Sequence, residues 1–336
     1  MKALILAGGA GTRLRPLTLN LPKPMVPVLN RPLLEHTLLL LKKHHIHEVI
    51  FLLHYLPKII QGHFGDGSEL GIRIEHIVAE ENYATAGAVK LAAQLIDDTF
   101  LVIAGDVVTD VNISSLIEFH QRKHRLATIA LSNVQNPGPF GIAETDDNGQ
   151  ITKFLEKPTA TQIFSHSVNM GIYVLEPAIL DWIPANQPYY FAKDLFPKLA
   201  HTRELFYGFV DQCYWIDVGH LVSYRQLHRD FLQNRIDLTT KEDLKKTGVW
   251  QGKNCRVGRD VTIETSVLGS DAVIGDGVFL TNCVIGEKCK VGNNSSLIDC
   301  ILWDGAEVGE TCQLVSAVVS SRTKIADNTL VDKEIL

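Results

Sequence analysis

Apolar and polar positions follow two different rhythms along this chain, and the change between them falls near residue 250. Before it, apolar runs of strand length alternate with stretches in which apolar side chains recur at helical spacing. We predict strands at residues 3–7, 49–53, 72–78, 100–104 and 127–131, helices at residues 33–43, 86–96 and 115–124, and a hairpin around residues 146–149. This pattern predicts an α/β fold with a largely parallel sheet, which binds ligands at the carboxyl ends of its strands.

A repeat of 17 residues occupies the chain from about residue 250 onward. It forms three aliphatic columns: Val257, Ile274, Val291, Val308 and Ile325; Ile263, Leu280, Leu297, Leu314 and Val331; Leu268, Ile285, Leu302, Val319 and Leu336. Spacings of 6, 5 and 6 residues within a period predict three short strands per coil of a triangular solenoid. Five of the six cysteines stand two positions before a column, so we predict small, inward-facing core thiols.

The length of 336 residues exceeds that of a single hydrophobic core, and we predict two domains, residues 1–240 and 250–336. A net charge of −6 argues against a nucleic-acid binder that works by counterion release. No apolar run has the length of a signal peptide or a membrane span. We therefore expect a cytoplasmic protein with reduced cysteines and with neither nucleic acid nor a membrane as a partner.

A glycine-rich segment, GGAGTR at residues 8–13, follows the first predicted strand, and Lys23 stands between two prolines shortly after it. Leu14 occupies the position where a dinucleotide-binding fingerprint needs glycine, and Arg13 and Leu14 replace the glycine and lysine of a P-loop. What remains is a bare backbone with nearby cations at the carboxyl end of a strand. That combination predicts a site for a polyphosphate.

Two aspartates are candidate ligands for the divalent cation that such a polyanion needs. Asp106 follows a buried apolar run, and Asp217 lies between an apolar strand and a helical pattern. A helix cap or a loop carboxylate is an equally good interpretation of either one alone. Asp110 also has two interpretations: a residue near the site, or a turn or cap residue.

Weaker signals come from charged side chains in pairs and clusters. Glu156 beside Lys157 suggests a carboxylate for sugar hydroxyls next to a cation for a phosphate, although surface ion pairs look the same. The cluster of His44, His45 and His47 follows the end of a predicted helix. Cations there suit the helix dipole, so we do not predict a metal site from this cluster.

Together these segments closely resemble the sugar-1-phosphate nucleotidyltransferases over nearly the whole chain, and the repeat resembles the hexapeptide-repeat left-handed β-helix. Among the subfamilies, the chain is most similar to mannose-1-phosphate guanylyltransferases that carry a β-helix. The similarity lies in TAG at residues 85–87, KDLFP at residues 193–197 and YWID at residues 214–217. The resemblance implies a Rossmann-like mixed-sheet nucleotidyltransferase domain followed by a left-handed parallel β-helix.

The resemblance also implies a role for each matching residue. It implies nucleotide contacts for Leu6, Gly8, Gly9, Gly11, Thr12, Arg13, Lys23, Glu80, Thr85, Ala86 and Gly87. It implies sugar-phosphate contacts for Gly141, Glu156, Lys157 and Asn169, and Mg²⁺ ligation for Asp106 and Asp217. In the implied catalysis, Arg13 draws charge toward the departing pyrophosphate and Lys23 holds the α-phosphate.

The implied reaction joins a nucleoside triphosphate and a hexose 1-phosphate into a nucleotide-sugar and pyrophosphate, with GTP and mannose 1-phosphate giving GDP-mannose as the first expectation. The chain departs from the family pattern at Ala79, commonly Glu or Gln, and at Ala84, usually glycine. Thymidylyl, uridylyl or adenylyl transfer to glucose 1-phosphate therefore stays open, as does a catalytically silent regulatory subunit that binds a nucleotide-sugar.

Hexapeptide β-helices also occur in acyltransferases, which typically use a histidine of the β-helix as base. All 13 histidines here lie at or before His228, which argues against acyl transfer by this helix. We instead expect the β-helix to assemble the protein into a homo-oligomer through residues 250–336, because the end of a β-helix exposes unpaired backbone.

Overall fold

The computed structural model describes residues 1–122, 125–202, 205–236 and 248–336. Contacts divide the chain into two units. The first comprises Met1–Gly11, Leu21–Met25 and Leu34–Asp217, and the second comprises Thr12–Asn20, Val26–Leu33 and Val218–Leu336. The boundary predicted between residues 240 and 250 falls largely outside the described residues, as does the end of the helix predicted at residues 115–124.

The helices are α1 Leu33–Lys43, α2 Pro57–Phe64, α3 Ala84–Leu91, α4 Ile113–Gln121, α5 Phe196–Thr202 and α6 Leu221–Leu232. The strands before the repeat are β1 Lys2–Leu6, β2 Pro27–Val28, β3 Arg31–Pro32, β4 Glu48–Leu53, β5 Arg73–Val78, β6 Phe100–Ala104, β7 Val107–Thr109, β8 Ala127–Asn133, β9 Gly141–Thr145, β10 Ile151–Glu156, β11 Ser167–Leu175, β12 Phe206–Val210 and β13 Trp215–Asp217. The strands of the repeat are β14 Val249–Gln251, β15 Arg256–Val257, β16 Thr262–Glu264, β17 Ser266–Leu268, β18 Val273–Ile274, β19 Phe279–Thr281, β20 Val284–Ile285, β21 Lys290–Val291, β22 Ser296–Ile298, β23 Ile301–Leu302, β24 Glu307–Val308, β25 Gln313–Val315, β26 Val318–Val319, β27 Lys324–Ile325 and β28 Leu330–Asp332.

The first unit is built on a mixed sheet with the strand order β10-β9-β11-β6-β1-β4-β5, and β8 joins β11 to β12. β6, β1, β4 and β5 are parallel neighbours, whereas β11 runs antiparallel to β6. β9 and β10 form the predicted hairpin. The prediction of an α/β fold with added antiparallel strands is therefore confirmed.

Apolar side chains cover both faces of this sheet, because helices pack on both sides of its parallel strands. On β1, Leu4 packs into one buried cluster while its neighbours Ala3 and Ile5 pack into another. Such strands are sequences of consecutive apolar residues, which is why the sequence pattern located them well. The two clusters cover the two faces of the sheet.

A small second sheet pairs β7 with β13 in antiparallel register, with Asp217 opposite Val107. β7 begins just after Asp106, so this pairing brings the two candidate aspartates together from distant parts of the chain. Asp110 has a structural role beside it, because its carboxylate accepts a hydrogen bond from the Tyr214 amide at 2.8 Å.

The repeat in the second unit folds into three parallel sheets of five strands each. Their register repeats every 17 residues, as in Val257 opposite Ile274 and Ile274 opposite Val291. The three predicted columns are therefore three stacks of strands, consistent with a left-handed β-helix. Cys283, Cys289, Cys300 and Cys312 are buried with their thiols free, and Cys255 is partly buried, as expected of core residues.

Each turn between strands of the β-helix places a residue in the left-handed backbone region. One such series, 17 residues apart, runs through Asn254, Asp271, Lys288, Gly305 and Arg322. Two further series do the same at the other two corners. Asn and Asp recur at these corners because they tolerate this conformation better than other non-glycine residues.

Helix α6 packs against the β-helix within the second unit. The indole Nε1 of Trp303 donates to the Tyr224 hydroxyl at 2.9 Å, and that hydroxyl donates to the carbonyl oxygen of Pro27. Arg229 pairs with Asp299 at 3.0 Å. None of the helices in the described ranges combines the length and hydropathy that a bilayer crossing requires.

Candidate active site

A cavity of about 410 Å³ lies at the edge of the first unit where β1, β4, β5 and β6 end. Its lining residues are Leu6, Gly8, Gly9, Ala10, Leu52, Leu53, His54, Tyr55, Ile77, Ala79, Glu81, Asn82, Tyr83, Ala84, Thr85, Ala88, Leu91, Ala104, Asp106 and Tyr190. Residues just beyond all four strand ends contribute to it. This is the edge at which parallel sheets bind ligands.

The glycine-rich segment supplies one wall of this cavity. Gly9 has open space where a side chain would project, whereas a Cβ at Gly8 would stand 3.2 Å from the Cβ of His54. Gly11 adopts a left-handed φ of 61°, which favours glycine. Thr12 and Arg13 are exposed on a short 3₁₀ helix, Thr12–Leu14, that belongs to the second unit.

Lys23, Asp106 and Asp217 form a charged cluster in the first unit. The ammonium of Lys23 lies 2.6 Å from a carboxylate oxygen of Asp106 and 3.4 Å from one of Asp217. The Lys23 side chain is only 7% exposed. Burial alone lowers the pKa of Lys23, but the two carboxylates outweigh it and the pKa is raised. The lysine therefore stays charged, held between two anions.

The same two carboxylates fit the magnesium ion that the sequence motifs imply. Mg²⁺ prefers oxygen ligands, and both aspartates already face one positive group, the Lys23 ammonium. Across the described residues there is no group of three or more His, Cys, Asp or Glu side chains that could hold a metal. Asp106 and Asp217 would supply two of its oxygen ligands, and Mg²⁺ at phosphate sites commonly takes the others from water and phosphate.

The loop after β5 forms the opposite wall of the cavity. Glu81 and Asn82 line the cavity, whereas Glu80 is exposed and is not a lining residue. Ala84 has a left-handed φ of 58°, the conformation for which the family's usual glycine is suited. The Asn82 side-chain oxygen accepts a hydrogen bond from the Ala84 amide at 3.0 Å.

Thr85 lines the cavity, but the next two residues of the motif serve the packing of a neighbouring loop. The amides of Ala86 and Gly87 donate to the carbonyl oxygen of Tyr189 at 2.8 and 3.0 Å. A Cβ on Gly87 would stand 2.8 Å from the carbonyl oxygen of Gln187. Their backbone donors are thus used inside the protein, and the residue that this packing holds at the cavity is Tyr190.

Gly141 and Glu156 are paired residues on β9 and β10. A Cβ on Gly141 would stand 2.7 Å from the Glu156 carboxylate, so glycine leaves room for that side chain. Burial raises the pKa of Glu156, and Lys157 and Lys193 oppose the shift in part. Lys157 is exposed, with its ammonium 4.0 Å from the Glu156 carboxylate.

Asn169 lies on β11, where its amide donates to the Tyr173 hydroxyl at 3.1 Å and its carbonyl accepts from the Gly171 amide at 2.9 Å. Burial raises the pKa of Tyr173, with the Glu156 and Asp106 carboxylates adding to the shift. The phenol therefore stays protonated and lies within electrostatic reach of both carboxylates. Tyr173 is a residue that sequence reasoning missed.

Sequence reasoning also missed His54, Tyr83 and Tyr190, which line the cavity. His54 directly follows β4 at the carboxyl edge of the sheet. The rule that located Asp106, a polar residue just after a buried strand, would have found it. The two tyrosines carry no such signal, because their place depends on loops that pack around α3.

Two protein-family models and several known proteins match this chain. The model of the Nucleotidyl transferase family matches residues 2–234, and the model described as the EIF2B subunit epsilon LbH domain matches residues 245–336. A UTP–glucose-1-phosphate uridylyltransferase from Synechocystis is 34% identical over 83% of this chain and 76% of its own length. A mannose-1-phosphate guanylyltransferase from Mycobacterium tuberculosis is 36% identical over 70% of this chain and 64% of its own.

A solved structure is similar as well. The crystal structure of HddC from Yersinia pseudotuberculosis complexed with GMP-PN has a TM-score of 0.60 at 27% identity, covering 68% of this chain and 99% of that one. A family model that matches well over half of the chain decides its membership. The chain therefore belongs to the nucleotidyl transferase family, as a sugar-1-phosphate nucleotidyltransferase that carries a left-handed β-helix domain.

Proposed function

We propose that this protein transfers the guanylyl group of GTP to mannose 1-phosphate, forming GDP-mannose and releasing pyrophosphate. The observation that carries the proposal is the buried Lys23 ammonium between Asp106 and Asp217, beside a cavity that Asp106 also lines. Such a cluster suits phosphoryl chemistry, in which positioning and charge neutralisation provide most of the catalysis. The choice of GTP and mannose rests on the relatives named as guanylyltransferases.

In the proposed reaction an oxygen of the sugar phosphate attacks the α-phosphorus of the nucleotide in line, and the bond to pyrophosphate breaks. A phosphate monoester with a second pKa of about 6 is largely dianionic near neutral pH, so no general base is needed. Asp106 and Asp217 would hold Mg²⁺, which would supply charge neutralisation for the phosphates when bound. Lys23 offsets charge at the α-phosphate, and Arg13 does so at the departing pyrophosphate.

The sugar phosphate is assigned to the residues around Glu156. A buried carboxylate accepts hydrogen bonds from sugar hydroxyls, and the exposed Lys157 ammonium beside it suits the phosphate of the nucleophile. Asn169 is fixed through both ends of its amide, so it presents a constrained hydrogen-bonding group. Such positioning lowers the entropic cost of bringing the two substrates together.

A second candidate is uridylyl transfer to glucose 1-phosphate. It is favoured by the Synechocystis relative, which matches more of this chain than the M. tuberculosis relative does. The chain departs from the guanylyltransferase pattern at Ala79 and Ala84, and both residues line the cavity.

Pyrophosphate release tests both candidates. GTP, UTP, dTTP and ATP are each combined with mannose 1-phosphate and glucose 1-phosphate in the presence of Mg²⁺. We expect the largest kcat/KM for GTP with mannose 1-phosphate. A larger value for UTP with glucose 1-phosphate would establish the second candidate, and no release with any pair would favour a silent regulatory subunit.

Assembly is proposed separately. We expect a homo-oligomer with contacts through residues 250–336, and light scattering at micromolar concentration would measure it. A monomeric mass would contradict this expectation without affecting the proposed reaction.

A further inference from the structure

His54 is one of the residues that line the cavity. Its ring lies at the carboxyl end of β4, with Nδ1 3.1 Å from the carbonyl oxygen of Ala79. A carbonyl oxygen only accepts hydrogen bonds, so Nδ1 carries the proton and donates. In the neutral ring Nε2 is then an acceptor. Within the described residues no hydrogen-bond partner of Nε2 is found.

The surroundings of His54 suit a flat heterocycle with N–H groups at its edge. Ile77, Ala88 and the ring of Tyr83 supply apolar wall to the same cavity, and Glu81 lines it with a second acceptor, a carboxylate. Among the common bases, only guanine has two adjacent N–H donor groups, N1–H and the 2-amino group, on its pairing edge. Two acceptors therefore match guanine better than uracil, thymine, cytosine or adenine, each of which has one donor group there.

We propose that His54 reads the nucleobase, with Nε2 accepting a hydrogen bond from an N–H group of guanine. The inference rests on the proposed function, because it assigns the cavity to the nucleotide. The methyl side chain of Ala79 has no polar group that could bind a base. In this proposal the Ala79 carbonyl oxygen instead orients the imidazole of His54, and His54 binds the base.

Calorimetric titration of the full-length protein tests this assignment with three probes: GTP, ATP and inorganic tripolyphosphate, which has the phosphates but no base. For His54→Phe we expect GTP to bind about tenfold more weakly, because a base donor loses its partner in the cavity. Tripolyphosphate affinity should stay unchanged. The dissociation constant does not depend on the folded fraction, so partial misfolding of the variant would not imitate the effect.

The matched control is His47→Phe. His47 also points Nδ1 at a backbone carbonyl, that of Gly71 at 3.3 Å, but it is exposed and does not line the cavity. Its GTP affinity should equal that of the unmodified protein. Equal GTP affinity of His54→Phe and the unmodified protein would overturn the role of His54, and tighter binding of ATP than of GTP by the unmodified protein would overturn the assignment to guanine.

Failure of the inference and of the proposed function can be told apart. Binding of GTP that depends on His54, without pyrophosphate release from any substrate pair, would leave the base-reading role standing and remove the catalytic proposal. Pyrophosphate release with GTP, combined with unchanged GTP binding in His54→Phe, would support the catalytic proposal and remove the base-reading role of His54.

Discussion

Lys23 is a residue whose burial makes sense only through its partners. An isolated buried ammonium is costly, yet here it lies against two carboxylates, one of them at 2.6 Å. In the metal-free protein the lysine therefore occupies the space between the ligands proposed for Mg²⁺. A bound cation and the ammonium must share the same two anions.

It follows that Lys23→Met should bind Mn²⁺, used as a probe for Mg²⁺, more tightly than the unmodified protein when no nucleotide is present. Removing the Lys23 charge, which lies 2.6 Å from Asp106, is expected to raise the affinity for Mn²⁺ on the order of tenfold. Electron paramagnetic resonance of free Mn²⁺ measures this without turnover. Lys157→Met, which removes an exposed lysine, is the control, and equal affinity in all three proteins would contradict the competition.

Glu156 gives the molecule a pH dependence of known sign. Burial raises its pKa in the folded protein above that of the unfolded chain, so the folded state binds more protons in the interval between the two values. Stability must then fall as the pH rises through that interval. Glu156→Gln should raise the melting temperature at pH 8 and change it little at pH 4. Glu144→Gln, an exposed site on β9, should change neither.

Ala84 shows strain that a single substitution can relieve. Its left-handed φ of 58° is unfavourable for an L-residue by roughly 1–2 kcal/mol. Glycine removes this cost, but it also raises the conformational entropy of the unfolded chain, which cancels part of the gain in stability. Ala84→Gly should therefore stabilise the protein slightly, by about 0.5–1 kcal/mol. Ala88→Gly, in the interior of the same helix, should destabilise it by about 1 kcal/mol. Urea denaturation measures the free energy of unfolding of both variants. Destabilisation by both substitutions would indicate a general preference for alanine in this helix and not strain at Ala84.

At the scale of elements, the sequence located what depends on local patterns. Consecutive apolar residues marked β1, β4 and β6, and the 17-residue period marked every coil of the β-helix. The pairing of β7 with β13 had no such signal, because three-residue strands far apart in the chain carry no shared pattern. The convergence of Asp106 and Asp217 therefore came from family resemblance, and the structure supplies its physical cause.

At α3 the structure shows contacts that the sequence motif does not specify. The motif predicts nucleotide contacts for Ala86 and Gly87, and in the structure the amides of both residues donate to the carbonyl oxygen of Tyr189. A short motif cannot distinguish a residue that touches a ligand from one that packs a loop beside it, since both need small side chains. The tertiary contact with Tyr189 shows a packing role for both residues, which the motif alone does not indicate.

Helix α6 is joined to the β-helix by a buried polar link that we expect to be important for stability. Tyr224 is fully buried and its hydroxyl both donates to Pro27 and accepts from Trp303. Tyr224→Phe leaves both partners unsatisfied, and we expect a loss of about 1–3 kcal/mol in the free energy of unfolding. Tyr190→Phe, at a partly exposed site, should cost less than about 0.5 kcal/mol. Equal effects of the two would show that the link contributes nothing.

At the scale of the whole molecule, the β-helix of the second unit repeats the same 17-residue coil. Each coil carries three strands, three left-handed corners and an inward set of small and aliphatic residues at the same positions of the period. In a repeat architecture each coil is stabilised mainly by its two neighbours. Shifting a strand by one residue exchanges its buried and exposed side chains.

These two rules predict opposite results for two insertions that differ by one residue. A second copy of residues 304–320 placed after Ser320 adds one full period, and it should leave the melting temperature within a few degrees. The same insert lacking Val319 shifts every later side chain by one position, so that core residues turn outward. That variant should lose its cooperative transition by circular dichroism, and similar melting of the two would contradict the register argument.

Every coil of the β-helix has the same three corners, so the cross-section stays the same however many coils are stacked. Stacked strands are separated by about 4.8 Å, so whole periods would lengthen this part of the protein in steps of that size without redesign of the core. Duplication of a short stretch of gene would in this way change the distance between the first and last coils of the β-helix, and the residues of the first unit would stay the same.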